Sequence, residues 1–559
     1  MGTEGAYITS SEIAELAGVA LSTVSNWRRR HKSFPAPEKR DGREYYLFDE
    51  VAQWLDGREV AKNDLRPGES KGVTYGERLR DRNPRTVQPE NVVTPDSGRQ
   101  KEAVWKELSP FRGTADIAAY ADLVLGLLYL AGQEPDRWSD ILAAGRNSAQ
   151  STELAILEHR PALLQLHRSW RSVLLESRGE ERFDNIVRVI DRVTRRPDSA
   201  GDEPRRWVAE VFEYLLSRFA AAEGKRGAVV ISPLSVVRVL AEVVALQPGE
   251  SLLDPCSDAG SFILGAARYV EAHGGLAADV SFAIQPLLER SWSIAWMNLA
   301  LHGVAAAFAP RPGLALGDDM HAGKRFDAIV ANPPFNLSNW ADDGSADRHW
   351  PFGIPPRGNA NFGWLQHAWS ALADNGRAAV IMPNGATSSD HSLEGRIRAG
   401  MVDEGAVEAL IALPSQLFST TAIPVTVWLL RRSAETRSEE ILFIDARALG
   451  AMVNRSQRDL ADDDVHRIAS TLTVWRDRRR RGEHYQDEHG FSASVDIRDV
   501  RRQNYVLMPG RYVRAEVATN KPAQAIPDLR RDLDDLHRRA IEADAAADRQ
   551  LGRIETWIR

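Results

Sequence analysis

Apolar and polar positions follow different rhythms in successive parts of this chain. From Gly227 to about Arg447, short apolar runs alternate with amphipathic stretches, the runs being Ser251–Leu253, Phe326–Ala331, Ala378–Met382, Val425–Leu430 and Ile441–Ile444. Near-continuous apolar runs separated by helical patterns predict an α/β fold with a mostly parallel sheet covered on both faces. From Val104 to about Ala222 the period is helical instead, with Trp105, Leu108, Ile117, Tyr120 and Leu123–Leu130 placed to line a bundle core. Near the C-terminal end, Ile526, Leu529, Leu533, Leu536, Ala540, Ala543, Ala547, Leu551, Ile554 and Ile558 recur at intervals of mostly three and four. That seam predicts a long, coiled-coil-like helix that pairs with another helix, on its own chain or on a partner.

Residues from Ile8 to about Gly57 carry a denser code. Thr9 or Ser10 can cap a first helix with Ile13, Leu16 and Ala17 on its apolar face, Gly18 makes a turn, and Ser22 caps a second helix through Val24 and Trp27 to Arg30. Tyr45–Phe48 reads as a strand, and Asp49 as the cap of a helix Glu50–Leu55. With Trp27 and Phe34-Pro35-Ala36-Pro37, this pattern resembles excisionase and MerR-type winged helix-turn-helix domains. The resemblance implies a second helix in the major groove of DNA, with Arg28, Arg29, Arg30, Lys32 and Arg43 available to phosphates. A protein-binding or purely structural three-helix unit would show the same periodicity. Residues 58–103, rich in Arg, Asn, Gly, Pro and Asp, read as a linker or arm.

Composition adds bounds. A chain of 559 residues has room for three or four domains, and 43% hydrophobic with 27% charged residues is ordinary for a soluble protein. The longest apolar stretch, around Leu123–Gly132, is too short to cross a bilayer, and a charged-then-apolar leader is not evident, so no membrane partner is expected. The single cysteine, Cys256, excludes an intrachain disulfide and fits a reducing cytoplasm. A net charge of −7 argues against coating nucleic acid through bulk charge, so any DNA contact must come from local patches or a partner.

The sharpest chemistry lies at Phe326–Phe335, where an apolar strand ends at Asn332-Pro333-Pro334-Phe335. Two prolines cannot continue a sheet, so the strand delivers a rigid loop at its carboxyl end, where open α/β sheets bind ligands. An Asn amide, the Pro333 carbonyl and an aromatic face together offer two acceptors and a stacking surface, as an amine on a planar ring requires. A base flipped out of a duplex is such an object. The tetrapeptide resembles the target-amine motif of adenine-N6 DNA methyltransferases. Upstream, Ser251-Leu252-Leu253-Asp254-Pro255-Cys256-Ser257-Asp258-Ala259-Gly260-Ser261-Phe262 has the strand, turn and helix start of a cofactor loop. It resembles that family's S-adenosylmethionine loop at Asp254, Pro255, Gly260 and Phe262, but carries Asp258 where the family has its first glycine. Ser232-Pro233 stands for a Thr-Pro near the methionine end, and Asp318 or Asp319 for the acid near the cofactor's adenine. Pro286 falls where an acid receives the ribose hydroxyls, with Gln285 a weaker substitute and Glu289 a helical turn too far.

The likeness extends from about 104 to 515 and points to the methyltransferase (M) subunit of type I restriction–modification systems. It implies a winged helix-turn-helix at 1–57, a linker at 58–103, a helical domain at 104–222, a Rossmann-like class I methyltransferase domain at 223–515 and a C-terminal helix at 516–559. The implied activity is methyl transfer from S-adenosylmethionine to N6 of a flipped adenine, without a metal. Asn332, Pro333, Pro334 and Phe335 would be catalytic, and Ser232, Pro233, Asp254, Pro255, Gly260, Phe262 and Asp318 would hold the cofactor. Implied partners are double-stranded DNA, a separate specificity subunit joined through the C-terminal helices and a restriction subunit, in the cytoplasm at the nucleoid. Trp340, Trp350 and Phe352 would form either a lid or DNA-facing surface, or the packing of their own loop. Two alternatives stay open: a catalytically degenerate DNA-binding or scaffolding subunit, suggested by Asp258 and Pro286, and a regulator acting through the N-terminal segment.

Overall fold

The computed structural model describes residues 7–8, 13–14, 17, 19, 21–31, 33–40, 43–58, 60, 73–81, 95–108, 116–145, 149–153, 171, 174, 179–194, 203–224, 231–341, 349–418, 423–432, 439–454, 457–513, 530–531 and 538. They fall into two compact units, Met1–Gln100 and Lys101–Arg559.

In the first unit, Ile13, Ala14 and Ala17 are helical and buried, and α1 spans Leu21–Arg30. Strands β1 (Tyr7–Ile8), β2 (Glu38–Arg40) and β3 (Arg43–Leu47) form an antiparallel sheet in the order β1-β3-β2. Helix α2 (Phe48–Asp56) follows without a break, with Leu47 at its N-cap and no side-chain cap. Asp49 therefore lies inside the first turn rather than capping it, because burial of Phe48 draws the helix start two residues back. The stretch expected as a linker is not empty. Helix α3 (Tyr75–Asp81) packs on α2, Leu79 is fully buried, and a Cβ on Gly76 would lie 2.6 Å from the Ala52 carbonyl oxygen. Such backbone-to-backbone approach is open to glycine alone.

In the second unit, which takes α4 (Pro95–Leu108) from Lys101 onward, that helix with α5 (Ile117–Gln133), α6 (Pro135–Ala143), α7 (Gly179–Thr194) and α8 (Glu203–Glu223) builds a helical layer around α5. Helix α5 is capped by Asp116, whose side chain accepts from Ala118 N at 3.2 Å, and every residue from Ala119 to Leu130 is buried. The layer's apolar core continues through Ala259, Ile294, Met297 and Leu301 of the sheet domain.

That domain runs α9 (Leu234–Val244), β4 (Ser251–Ser257), α10 (Ser261–Ala272), β5 (Ser281–Pro286), α11 (Glu289–Leu301), β6 (Ala307–Phe308), β7 (Phe326–Ala331), α12 (Asn361–Ala371), β8 (Leu372–Pro383), α13 (Ser392–Asp403), β9 (Val407–Ala412), β10 (Val425–Arg431) and β11 (Glu440–Asp445). A short ribbon, β12 (Ala451–Met452) and β13 (Arg458–Asp459), precedes α14 (Asp462–Arg480) and β14 (Ser492–Asp496). The nine-stranded sheet has the order β14-β11-β9-β10-β8-β7-β4-β5-β6. Strand β4 lies parallel to both β5 and β7, β5 to β6, and β7 to β8, whereas β10 is antiparallel to β8 and β9. The chain winds outward from β4 through β5 to β6 and then returns to β7 on the other side. The crevice at the carboxyl ends of β4 and β7 is thus a topological switch point, where such sheets take their ligands. Among the described residues no helix is long and apolar enough to cross a membrane. The helix expected at 516–559 lies outside the described residues but for Arg530, Arg531 and Arg538.

Candidate active site

The end of β4 supplies Asp254, whose side chain is 1% exposed. Its Oδ1 accepts from the Cys256 backbone N–H at 3.3 Å, while Oδ2 is buried with no hydrogen-bond partner. Burial pushes this carboxyl up to about 7, and the nearby Ser257 hydroxyl and Cys256 N–H offset that only in part. Asp258, half-buried, is pushed well above the usual carboxylate range, first by burial and then by the charge of Asp254. The buried Cys256 thiol is pushed up by burial and by the same two carboxyls.

Gly260 turns the chain into α10 with φ at +74°, and a Cβ there would meet the Leu299 side chain at 3.2 Å. Pro255 is buried within β4. A second glycine, not singled out from the sequence, matters as much. A Cβ on Gly265 would lie 2.4 Å from Val237 Cγ1, so Gly265 is what lets α10 lie against α9. Its signal was a glycine inside an otherwise helical apolar pattern. Helix α9 begins immediately after Ser232-Pro233, so this contact fixes where Ser232 stands.

Ser232 is buried, and its Oγ accepts from Asn332 Nδ2 at 3.1 Å. Tying down the amide nitrogen leaves Asn332 Oδ1 as the acceptor available to a ligand. Ser232, Asp254, Cys256, Ser257, Asp258, Ala259, Ser261, Phe262 and Asn332 line one small pocket. Sequence positions separated by a hundred residues thus converge at the switch point.

Beyond Asn332, Pro333 is buried, and Pro334 and Phe335 are half-buried, the Phe335 ring packing on the central core. The loop then enters left-handed backbone at Asn336, φ +54°. It is held there by a reciprocal amide pair: Asn336 N–H donates to Asn361 Oδ1 at 3.0 Å, and Asn361 Nδ2 donates to Asn336 Oδ1 at 2.9 Å. Asn361 opens α12 and is buried, a role the sequence did not disclose. The aromatic residues of this loop pack inward. Trp340 and Trp350 are buried edge-to-face at 5.6 Å, Trp340 Nε1 donates to the Pro356 carbonyl at 3.0 Å, and Phe352 meets Trp369 at 4.9 Å. Of the two expectations, Trp340 and Trp350 show packing within their own loop, while Phe352 packs on Trp369 of α12.

The opposite side of the crevice departs from expectation. Pro286 is buried at the end of β5 and offers no side-chain acceptor. Gln285, expected as its substitute, is fully buried with its amide committed to backbone: Nε2 donates to the carbonyls of Gly313 (3.1 Å) and Asp318 (2.7 Å), and Oε1 accepts from Met320 N–H at 3.2 Å. It braces the loop after β6 and cannot also bind a ribose. The Asp318 carboxylate pairs with Arg311 at 2.5 Å and does not line the pocket, and Glu289 is exposed on α11. In the first unit, Arg28 and Arg29 are exposed on α1. Lys32 and the side chains of Arg30 and Arg43 lie outside the described residues.

Residues 204–521 match the protein family described as N-6 DNA Methylase. The methylase subunit of the type I restriction enzyme HindI from Haemophilus influenzae is 38% identical over 307 residues, which cover 55% of this chain and 68% of that protein. The MjaIX methylase subunit of Methanocaldococcus jannaschii is 30% identical over 319 residues, covering 55% of each chain. Relatives such as this one are therefore matched over only about half their length. Among solved structures, the methyltransferase subunit of a type I restriction-modification system from Streptococcus thermophilus superposes with a TM-score of 0.59 at 21% identity, covering 75% of this chain and 99% of that one. A chain from a structure of the complex assembly of a type I R-M system gives 0.53 at 16% identity, over 80% and 97%. At these identities the structural likeness is one of fold.

Proposed function

The chain belongs to the N-6 DNA methylase family, and on that premise we propose that it is the modification subunit of a type I restriction–modification system, transferring a methyl group from S-adenosylmethionine to N6 of a flipped adenine. The observation that carries this is the bond from Asn332 Nδ2 to Ser232 Oγ, which leaves the amide oxygen as acceptor beside the pocket. Asn332 Oδ1 and the Pro333 carbonyl would receive the two hydrogens of the adenine amine. Holding the amine this way turns its lone pair toward the pocket and draws electron density onto nitrogen without a strong base. Phe335, half-exposed, gives the base an edge or face to rest on. The remaining demand is alignment in a site sheltered from water.

The residues fit the cofactor on its methionine side: a buried acceptor at Asp254 Oδ2 without a partner, a glycine turn at Gly260, and Ser232. When bound, S-adenosylmethionine supplies an electrophilic methyl on a sulfonium. The ribose side lacks its usual acid, and Pro286 with the committed Gln285 favours a second reading, a subunit that binds DNA or scaffolds a complex without catalysis.

The N-terminal unit, two helical segments followed by the antiparallel β2–β3 ribbon with Arg28 and Arg29 exposed, supports a winged helix-turn-helix that contacts DNA phosphates. Target choice would then rest with a specificity subunit, and cleavage with a restriction subunit, on cytoplasmic DNA. A calorimetric titration of S-adenosylmethionine into the full-length chain is the first test, with micromolar binding expected and lost on Asp254→Ala. Native DNA from cells carrying the complete locus should then contain N6-methyladenine at one sequence, absent with Asn332→Ala. Cofactor binding with no methyladenine would favour the scaffold.

A further inference from the structure

We propose that Asp254 and Asp258 form an anionic seat for the cationic part of the methyl donor, and that this seat lets the protein bind the donor more tightly than the demethylated product. The inference rests on the cofactor reading above and deepens it. The loop that this one resembles has glycine where Asp258 stands, so the seat would be a property of this chain.

Two acidic residues line one small pocket, Asp254 at the end of β4 and Asp258 in the turn before α10. Lining that pocket with Asp258 are Asp254, Cys256 and Ser257 of β4, Ser261 of α10, Asn332 after β7 and Ser232 before α9. None of these described residues carries a positive charge. Two acids sequestered together without a cation cannot both ionise cheaply, since each disfavours the charge of the other. Without ligand the pair therefore retains protons at pH values where exposed carboxylates have long lost them, as the raised position of both groups shows. A second feature points to a ligand: Asp254, a lining residue of the pocket, keeps its Oδ2 sealed from solvent with no hydrogen-bond partner.

A cation completes this arrangement, and the charge it brings decides how well. S-adenosylmethionine carries a sulfonium and an ammonium. S-adenosylhomocysteine, formed by loss of the methyl group, keeps the ammonium but has an uncharged sulfur. A pocket with two acids and no resident cation gains more from the first than from the second. The gain requires ionisation, so donor binding drives protons from the pair to the buffer. Below about pH 7 the proton that Asp254 gives up on binding opposes the donor, and that opposition fades as pH rises through this range. Donor affinity therefore rises with pH through neutrality.

The test is calorimetric titration of both compounds into the full-length chain between about pH 6 and 8, in buffers of different ionisation heat. The natural chain, Asp258→Asn and Asp258→Gly are compared, each checked for an intact thermal unfolding transition. We expect donor over product selectivity of at least about tenfold in the natural chain, proton release near neutral pH, and loss of most of both in Asp258→Asn. Equal selectivity in the natural and Asp258→Asn chains, or donor binding without proton release, would overturn the proposal and leave the cofactor reading intact. Binding by Asp258→Gly alone would also overturn it, by making Asp258 an obstruction. If none of the folded chains binds either compound, the cofactor reading itself fails.

Discussion

Burying the Asp254 carboxyl with one oxygen unpartnered works against folding wherever that carboxyl must ionise. Its folded value of about 7 lies above the ordinary range, so the native chain holds this proton more tightly than the unfolded one does. The resulting stability is fully present below the unfolded value and is lost as pH rises through about 7. Asp254→Asn in the ligand-free protein should therefore be stabilising at about pH 8, by about 2–4 kcal/mol, and close to neutral at about pH 4. Thermal melts at the two pH values measure this, and a variant no more stable at high pH would mean the carboxylate is solvated. The same substitution should abolish donor binding, which separates the cost to the fold from the use in the site. Positions of this kind were readable in the sequence because their pattern is local: Asp254, Gly260 and Asn332 follow apolar strand runs, and Ser232-Pro233 precedes a helix. Gln285 was misjudged because its partners are backbone groups of Gly313, Asp318 and Met320, and a sequence does not show which loop a strand end will touch.

At the scale of elements, the loop after Asn332-Pro333-Pro334-Phe335 is only as rigid as the start of α12 makes it. Asn361 both donates to and accepts from Asn336, and so stabilises a left-handed turn that a non-glycine residue adopts only with support. Asn361→Ala should release the residue after the Asn-Pro-Pro-Phe motif while leaving β4 and its cofactor loop untouched. The expected result is turnover lowered about 10- to 100-fold with donor affinity unchanged, measured by single-turnover methylation beside calorimetry. A matching loss of donor affinity would show that the two halves of the site are not independent. Strands β4, β7, β8, β10 and β11 were legible as apolar runs, but β9 was not, because Glu408 interrupts it. That carboxylate is buried yet held well down, at about 2, mainly by Arg476 at 2.6 Å with Arg431 at 3.3 Å. Its partner Arg476 arrives from α14, far along the chain, so the strand looked broken where the fold mends it. Helix α3 was hidden for the opposite reason: its glycine, read as a linker signal, serves close packing.

Over the whole second unit, the helical layer and the sheet domain behave as one body because a buried charge cluster and a shared core join them. Arg290 of α11 binds Asp122 of α5 at 2.6 Å and Glu223 of α8 at 2.8 Å, with both acids almost fully buried. Helix α11 also supports the cofactor loop: Asn298 Nδ2 donates to the Ala259 carbonyl at 2.8 Å, and Leu299 lies beneath Gly260. A path of contacts therefore leads from the helical layer to the pocket without passing through the sheet. Arg290→Met removes the cation but keeps much of the volume, leaving Asp122 and Glu223 buried without their shared partner. Breaking a buried cluster in this way costs about 3–5 kcal/mol, which urea unfolding would register as a lower midpoint. Replacing all three residues with neutral ones of similar size should recover much of that loss, because the penalty belongs to the stranded acids rather than to the missing bond. If the layer stabilises the pocket through α11, Arg290→Met should weaken donor binding as well, and the triple replacement should restore it. Unchanged donor affinity in the single variant would confine the helical layer to stability and leave the pocket to the sheet domain alone.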